Sequence, residues 1–126
     1  MAKKEYTFRG LKTEQIKNMS VQEFAQLLTS RERRSVLRGM TEAEKSLLHK
    51  IAKRDSVKTH CREMVIVPQM LGKTILVHNG REYTPLLINE EMLGFRLGEF
   101  VLTRKMVKHN SPGIGSSASS KSMSVK

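Results

Sequence analysis

Cysteine is almost missing from this 126-residue chain: Cys61 is the only one. No internal disulfide can form, which suits a reducing intracellular compartment. A zinc site is excluded as well, because one Cys with scattered His49, His60, His78 and His109 lacks the ligand spacing such sites need. Long apolar runs are also missing. The longest, Met64–Val67 and Leu86–Ile88, fall far below a membrane span, and Met1-Ala2-Lys3-Lys4-Glu5 leads into no apolar segment of the signal-peptide kind. Aspartate is represented by Asp55 alone, at an expected helix end. Neither a Ser/His/Asp order nor a paired-carboxylate pattern stands out, which leaves hydrolytic chemistry without carriers. From Arg104 onward there is no acidic residue at all.

Positive charge is abundant. Lys and Arg number 23 against 12 Asp and Glu, a net of +11. Self-repulsion on this scale disfavours a small compact chain unless a polyanion neutralises it. RNA, DNA and an anionic membrane are the candidates, and the lack of apolar runs makes the membrane the weakest. The charge is unevenly placed. Met1 to Asp55 holds 13 basic and 7 acidic residues (+6), Ser56 to Thr103 holds 5 and 5 (zero), and Arg104 to Lys126 holds 5 and none (+5). A neutral middle between basic flanks describes a packed body with basic extensions.

The first half carries helix signals. Residues 1–18 look like an irregular basic arm. Ser20-Val21-Gln22-Glu23 is a capping box, followed by Val21, Phe24, Leu27 and Leu28 at helical spacing. A short helix is expected over Ser30–Arg38, with Gly39 as its stop. Thr41-Glu42-Ala43-Glu44 is a second capping box. The helix it opens sets Leu47, Leu48, Ile51 and Ala52 on one side, Lys50 and Lys53 on the other, and ends near Arg54. The second half changes period. Met64–Val67 reads as a strand closed by Pro68, Thr74–His78 as a second, and Arg81–Leu87 as a third in which Pro85 argues for an edge. Asn79-Gly80 between the last two is a hairpin signal of the type I′ kind, with positive φ at both positions. The chain after Lys108 lacks any core pattern, and its Ser-rich end cannot offset the entropy of ordering. The regions expected are thus a basic N-terminal arm (1–18), a helical region (19–55), an α+β core with the hairpin (56–105) and a basic flexible C-terminal tail (106–126). The fold class is α+β: N-terminal helices beside a small three-stranded, mainly antiparallel sheet.

Two motifs of enzymes fail on inspection. Gly72-Lys73-Thr74 resembles the end of a phosphate-binding loop, but position 67 is Val where Gly is required, and a strand follows instead of a helix. His60-Cys61 as neighbours in an extended segment face opposite ways and cannot activate each other. No cofactor is expected. More telling are Arg31, Arg34 and Arg38, which share one face of the short helix at i, i+3 and i+7. A solvated basic face is the bland reading. With the charge of the whole chain, contact with RNA phosphates is the favoured one, since guanidinium forks match phosphate oxygens.

The most specific stretch begins at the hairpin. Asn79-Gly80-Arg81, Ile88, Leu93-Gly94, Leu97-Gly98-Glu99-Phe100 and Thr103 resemble the signature of the ribosomal small-subunit protein family numbered nineteen in bacteria. Thr59-His60-Cys61-Arg62, Val67-Pro68-Gln69-Met70-Leu71-Gly72, Arg104-Lys105, Lys108-His109 and Pro112-Gly113-Ile114-Gly115 extend the likeness. Phe8-Arg9-Gly10, Met19-Ser20 and Arg31-Glu32-Arg33-Arg34-Ser35 are similar to the helical extension of its archaeal and eukaryotic branch, and Leu102-Thr103-Arg104-Lys105 favours an archaeal source. Two features depart from the pattern: Phe95 stands where His is usual, and the last ten residues are poorer in Arg and aromatics.

The resemblance implies a structural, non-enzymatic, cytoplasmic ribosomal protein. It would sit in the head of the small subunit on the 3′ major domain of the rRNA, beside the head protein of the family numbered thirteen in bacteria, with its tail running toward the tRNA sites. Neutralisation of phosphates is expected from Arg31, Arg34, Arg38, Lys53 and Arg54. Arg62 and Lys73 are further RNA-binding candidates. His78, Asn79 and Arg81 would set the hairpin against RNA, and Arg104, Lys105, Lys108 and His109 would lead the tail along it. A DNA-architectural or chromatin protein shares the charge but needs a groove-reading element or apolar wedges. A small RNA-processing enzyme would need a base–nucleophile pair or metal cluster that the sequence does not offer.

Overall fold

The structure, a computed structural model, describes residues 6–106. The expectations that fall on Lys108, His109 and the Ser-rich end lie outside these residues. The chain opens with a two-stranded hairpin, β1 (Thr7–Phe8) and β2 (Leu11–Lys12), and a short helix α1 (Thr13–Lys17). Where the sequence suggests an irregular arm, residues 6–18 are folded and docked. Ile16 is buried, and the Phe8 ring sits 5.8 Å from that of Phe24. Arg9 and Gly10, with φ of 52° and 84°, form a two-residue turn of the I′ sense. The few apolar residues here, at uneven spacing, gave periodicity nothing to detect.

Helices α2 (Val21–Leu27), α3 (Ser30–Leu37) and α4 (Glu42–Lys53) form where capping predicts them. Ser20 and Glu23 exchange bonds (Ser20 N–H to Glu23 Oε2, 2.9 Å; Glu23 N–H to Ser20 Oγ, 3.3 Å), and Thr41 and Glu44 do the same (2.7 and 3.4 Å). The backbone bond from Ser20 holds the exposed Glu23 carboxyl below its ordinary pKa. Gly39 follows α3 with φ +100°, the left-handed stop that glycine supplies without strain. Phe24, Leu28, Leu47 and Ile51 enter the core, while Ala52 stays exposed.

The sheet departs from expectation. Its first strand is β3 (Ser56–Thr59), which pairs parallel with the central β4 (Thr74–His78); β5 (Tyr83–Leu87) pairs antiparallel with the other side of β4. The sheet is therefore mixed, with one parallel and one antiparallel pair, and Pro85 lies on an edge strand as expected. Met64–Val67 is not a sheet strand. It runs through the core against residues 94–97, with an isolated bridge Val65↔Arg96 and bonds Ile66 N–H to Phe95 O (2.8 Å), Gly94 N–H to Ile66 O (3.2 Å) and Leu97 N–H to Met64 O (3.1 Å). All four of its residues are buried, so its unbroken apolar character reports burial on every side rather than strand pairing. Ser56–Thr59, by contrast, alternates exposed and buried, but Val57 is its only apolar residue and the pattern is faint.

The β4–β5 connection is also not a two-residue I′ turn. It spans residues 79–82, closed by Asn79 N–H to Glu82 O (3.0 Å), and only Gly80 has positive φ (102°). Asn79 Oδ1 accepts from the N–H groups of Arg81 (2.9 Å) and Glu82 (2.8 Å), so the Asn side chain supplies the turn that its backbone was expected to make. Gly80→Val puts a β-branched residue at that positive φ, and a loss of about 1–2 kcal/mol is expected. Chemical denaturation with an unchanged midpoint would mean the loop does not hold this conformation in solution.

Candidate nucleic-acid interface

Helix α3, which ends on the backbone N–H of Arg38 bonded to Arg34 O, is clad in arginine. Arg31, Arg34 and Arg38 are exposed on one face. Arg33, one step around the helix, turns inward and donates to the carbonyls of Leu28 (2.9 Å) and Gln26 (3.2 Å), closing the end of α2. The outer stripe borders an open groove of about 790 Å³, which Arg96, Glu44 and Glu63 also line. Both acids are already engaged: Glu44 in the cap of α4, Glu63 with Arg96 at 3.0 Å. Three exposed guanidinium groups thus share a groove whose carboxylates are committed elsewhere, a geometry suited to several phosphates of one backbone. Arg96 lies in the charge-neutral middle of the chain, and nothing in its local sequence marks it for this groove.

A second group surrounds the β4–β5 loop. Residues 79–82 and 102–105 line a common recess of about 600 Å³. Arg81 and Arg104 are exposed, and Lys105 pairs with Glu82 at 3.0 Å. The hydrogen bond and charge of Lys105 hold the Glu82 carboxyl below its ordinary pKa. The root of the C-terminal segment therefore lies against the loop. Asn79 sits in the loop with its side-chain oxygen spent on the turn, so it presents the loop more than it offers a donor set.

Two expected contacts are occupied within the protein. Arg62 is half-buried and donates to three carbonyls: His78 (2.7 Å), Gly98 (2.9 Å) and Val101 (2.5 Å). Gly98 leaves room for it, since a Cβ there would come within 3.0 Å of the Arg62 Cβ. Lys73 pairs with Asp55, and its hydrogen bond and charge lower the Asp55 pKa. Lys53 and Arg54 stand exposed at the end of α4, apart from the α3 groove's lining. Cys61 is half-buried against the core, while its neighbour His60 turns to the outer face of the sheet, as opposed neighbours should.

That outer face holds residues the sequence reading passed over. Lys58, His60 and Tyr83 gather there with His78. The alternation Val57-Lys58-Thr59-His60 and the pairing of His78 with Tyr83 across the hairpin were the available signals. Among the described residues no three His, Cys, Asp or Glu side chains come together to hold a metal, and no helix is long and apolar enough to cross a membrane.

Fold and surface together define a class: a small, strongly basic α+β protein whose cations crowd one helix, one loop and the root of a basic end, as in proteins built into ribonucleoprotein particles. A family profile described as "Ribosomal protein S19" matches residues 31–109. The chain is also similar to the "Small ribosomal subunit protein uS19" of the archaeon Methanococcoides burtonii, with 44% identity over 125 residues, 98% of this chain and 91% of that one. The chain belongs to the ribosomal protein S19 family. It is a structural, non-enzymatic component of the ribosome and part of the cytoplasmic particle. Likeness to an archaeal relative along almost the whole chain agrees with the branch that the N-terminal half resembles.

Proposed function

We propose that this protein fixes rRNA in the head of the small subunit, on the 3′ major domain, and helps shape the tRNA-binding face. The observation that carries the reading is the α3 stripe, where Arg31, Arg34 and Arg38 stand exposed over a groove whose acids are already bonded. Phosphate contacts there fix position without reading sequence. Lys53, Arg54 and Arg81 add to the same electrostatic footprint. Arg62 and Lys73 act on RNA indirectly, by holding the elements that carry the exposed cations. Arg104 and Lys105, against the loop, direct the basic end of the chain, with Lys108 and His109, along the RNA toward tRNA. The head protein of the family numbered thirteen in bacteria is the proposed neighbour.

The test separates assembly from use. A chain ending at His109 should enter small subunits at the normal level, measured by sedimentation, while cells carrying only that form should translate less accurately. Failure to enter subunits would make the end of the chain an assembly element. Normal entry with normal accuracy would remove the proposed role at the tRNA face.

A further inference from the structure

The outer face of the three-stranded sheet has a feature that phosphate binding does not use. The β-ladder sets His78 opposite Tyr83 on its antiparallel side, and the end of β3 brings His60 beside them. The His60 and His78 rings lie 4.4 Å apart, tilted at 33° to each other. Tyr83 stands edge-on to both, at 5.4 and 4.9 Å, and its hydroxyl is 2.7 Å from His60 Nε2. Lys58 Nζ lies 5.2 Å from the Tyr83 ring centre. Gly80 N–H donates to His78 Nδ1 (3.1 Å), so the neutral ring carries its proton on Nε2, which has no protein partner among the described residues. His60 is exposed.

We infer that this cluster is a stacking platform for an unpaired nucleobase of RNA, with His60 as the ring the base covers and Lys58 at the adjoining phosphate. The inference rests on the reading that the protein binds RNA and adds a second kind of contact to it. Three rings held by one another and by the loop are rigid, so little ordering is left for binding to supply. An aromatic face beside a cation is the usual combination for an unpaired nucleotide. Charge favours the same occupant. Glu82 and Asp55, acids near this sheet, are paired with Lys105 and Lys73, whereas among the described residues Lys58 meets only the Tyr83 ring. On the same face, Leu76 and Pro85 are cross-strand partners and Leu87 is 54% exposed, which extends a surface for the sugar or a second base.

The experiment measures binding of the full chain to a transcript of the small-subunit rRNA 3′ major domain across a salt series. His60→Ala should lower affinity about 5- to 10-fold, the low end for loss of one base–ring stack, without changing the slope of log K against log[salt] and with only a small drop in melting temperature, from the lost contacts to Tyr83 and His78. His60→Phe, which keeps a ring and loses the bond to Tyr83, should restore most of the affinity. Lys58→Ala should instead flatten the slope by about one unit. Wild-type affinity in His60→Ala, alongside a loss in Arg34→Ala, would overturn the platform and leave phosphate binding standing. A wild-type chain that ignores the transcript would overturn both. Loss in His60→Phe equal to that in His60→Ala would assign His60 a hydrogen bond rather than a stack. Normal RNA affinity with poor subunit entry would mean the face docks a protein.

Discussion

Arg62→Ala should destabilise the fold by about 3 kcal/mol and lower the melting temperature by roughly 10 °C. One guanidinium here closes three segments at once: the end of β4 through His78 O, the turn at Gly98 and the start of the C-terminal segment at Val101 O. Each bond from a charged donor contributes about 1.5–3 kcal/mol where water is excluded. Arg62 is only half-buried and its bonds share one group, so the sum is discounted to that of one or two. The carbonyls of Gly98 and Val101 lose this donor in the variant. Lysine places one point charge where arginine places a planar fork, so Arg62→Lys should recover only part of the loss. The check is urea denaturation of both variants alongside salt-dependent RNA binding. A variant of wild-type stability that had lost RNA affinity would show Arg62 reaching outward to phosphate instead.

The second large effect is on binding. Replacing Arg31, Arg34 and Arg38 together with Ala should weaken rRNA binding by at least about 100-fold at moderate salt, nearly equally for unrelated structured RNAs. Each neutralised phosphate contributes about 0.7–0.9 to the slope of log K against log[salt], so the slope should flatten by about 2–3 units. Stability should hardly move, because the three side chains are exposed and none makes a hydrogen bond or ion pair among the described residues. Arg33→Ala makes the contrast. It loses two carbonyl bonds at the end of α2 and should act on stability while leaving the slope alone. An unchanged slope in the triple variant would move the phosphate contacts off α3.

The division between Arg33 and its neighbours was legible in the sequence, because i, i+3 and i+7 spacing selects Arg31, Arg34 and Arg38 and leaves Arg33 aside. The helices were legible for the same reason: both capping boxes are local, and their bonds formed as spaced. The sheet was less so. Strand β3 has a single apolar residue, and its parallel partner lies beyond 14 intervening residues, a pairing no window can contain. Met64–Val67 misled because four apolar residues in a row describe a strand and a buried irregular run equally well. In the interface the gaps have one cause. Arg62 and Lys73 look like any surface cations in the sequence, and only the fold turns their charge toward His78, Gly98 and Asp55. Lys58 and His60 share a face through strand alternation, but Tyr83 is far along the chain and joins them only once β3 and β5 flank β4.

The buried run at Met64–Val67 has a consequence for how the chain matures. Its long-range backbone partners are Gly94, Phe95 and Leu97, and Gly98 N–H closes on Arg62 O (2.8 Å). A nascent chain emerging N-terminus first therefore exposes its most apolar segment without its long-range hydrogen-bonding counterpart until about thirty residues later. The helical half can collapse early on local contacts, but the body cannot shut before roughly residue 101 is clear of the exit tunnel. A release pause or truncation upstream of Gly94 leaves an open core that is a substrate for chaperones and proteases. Completion of the last described turn is in this sense a quality gate: only a chain synthesised past it presents a closed body to RNA.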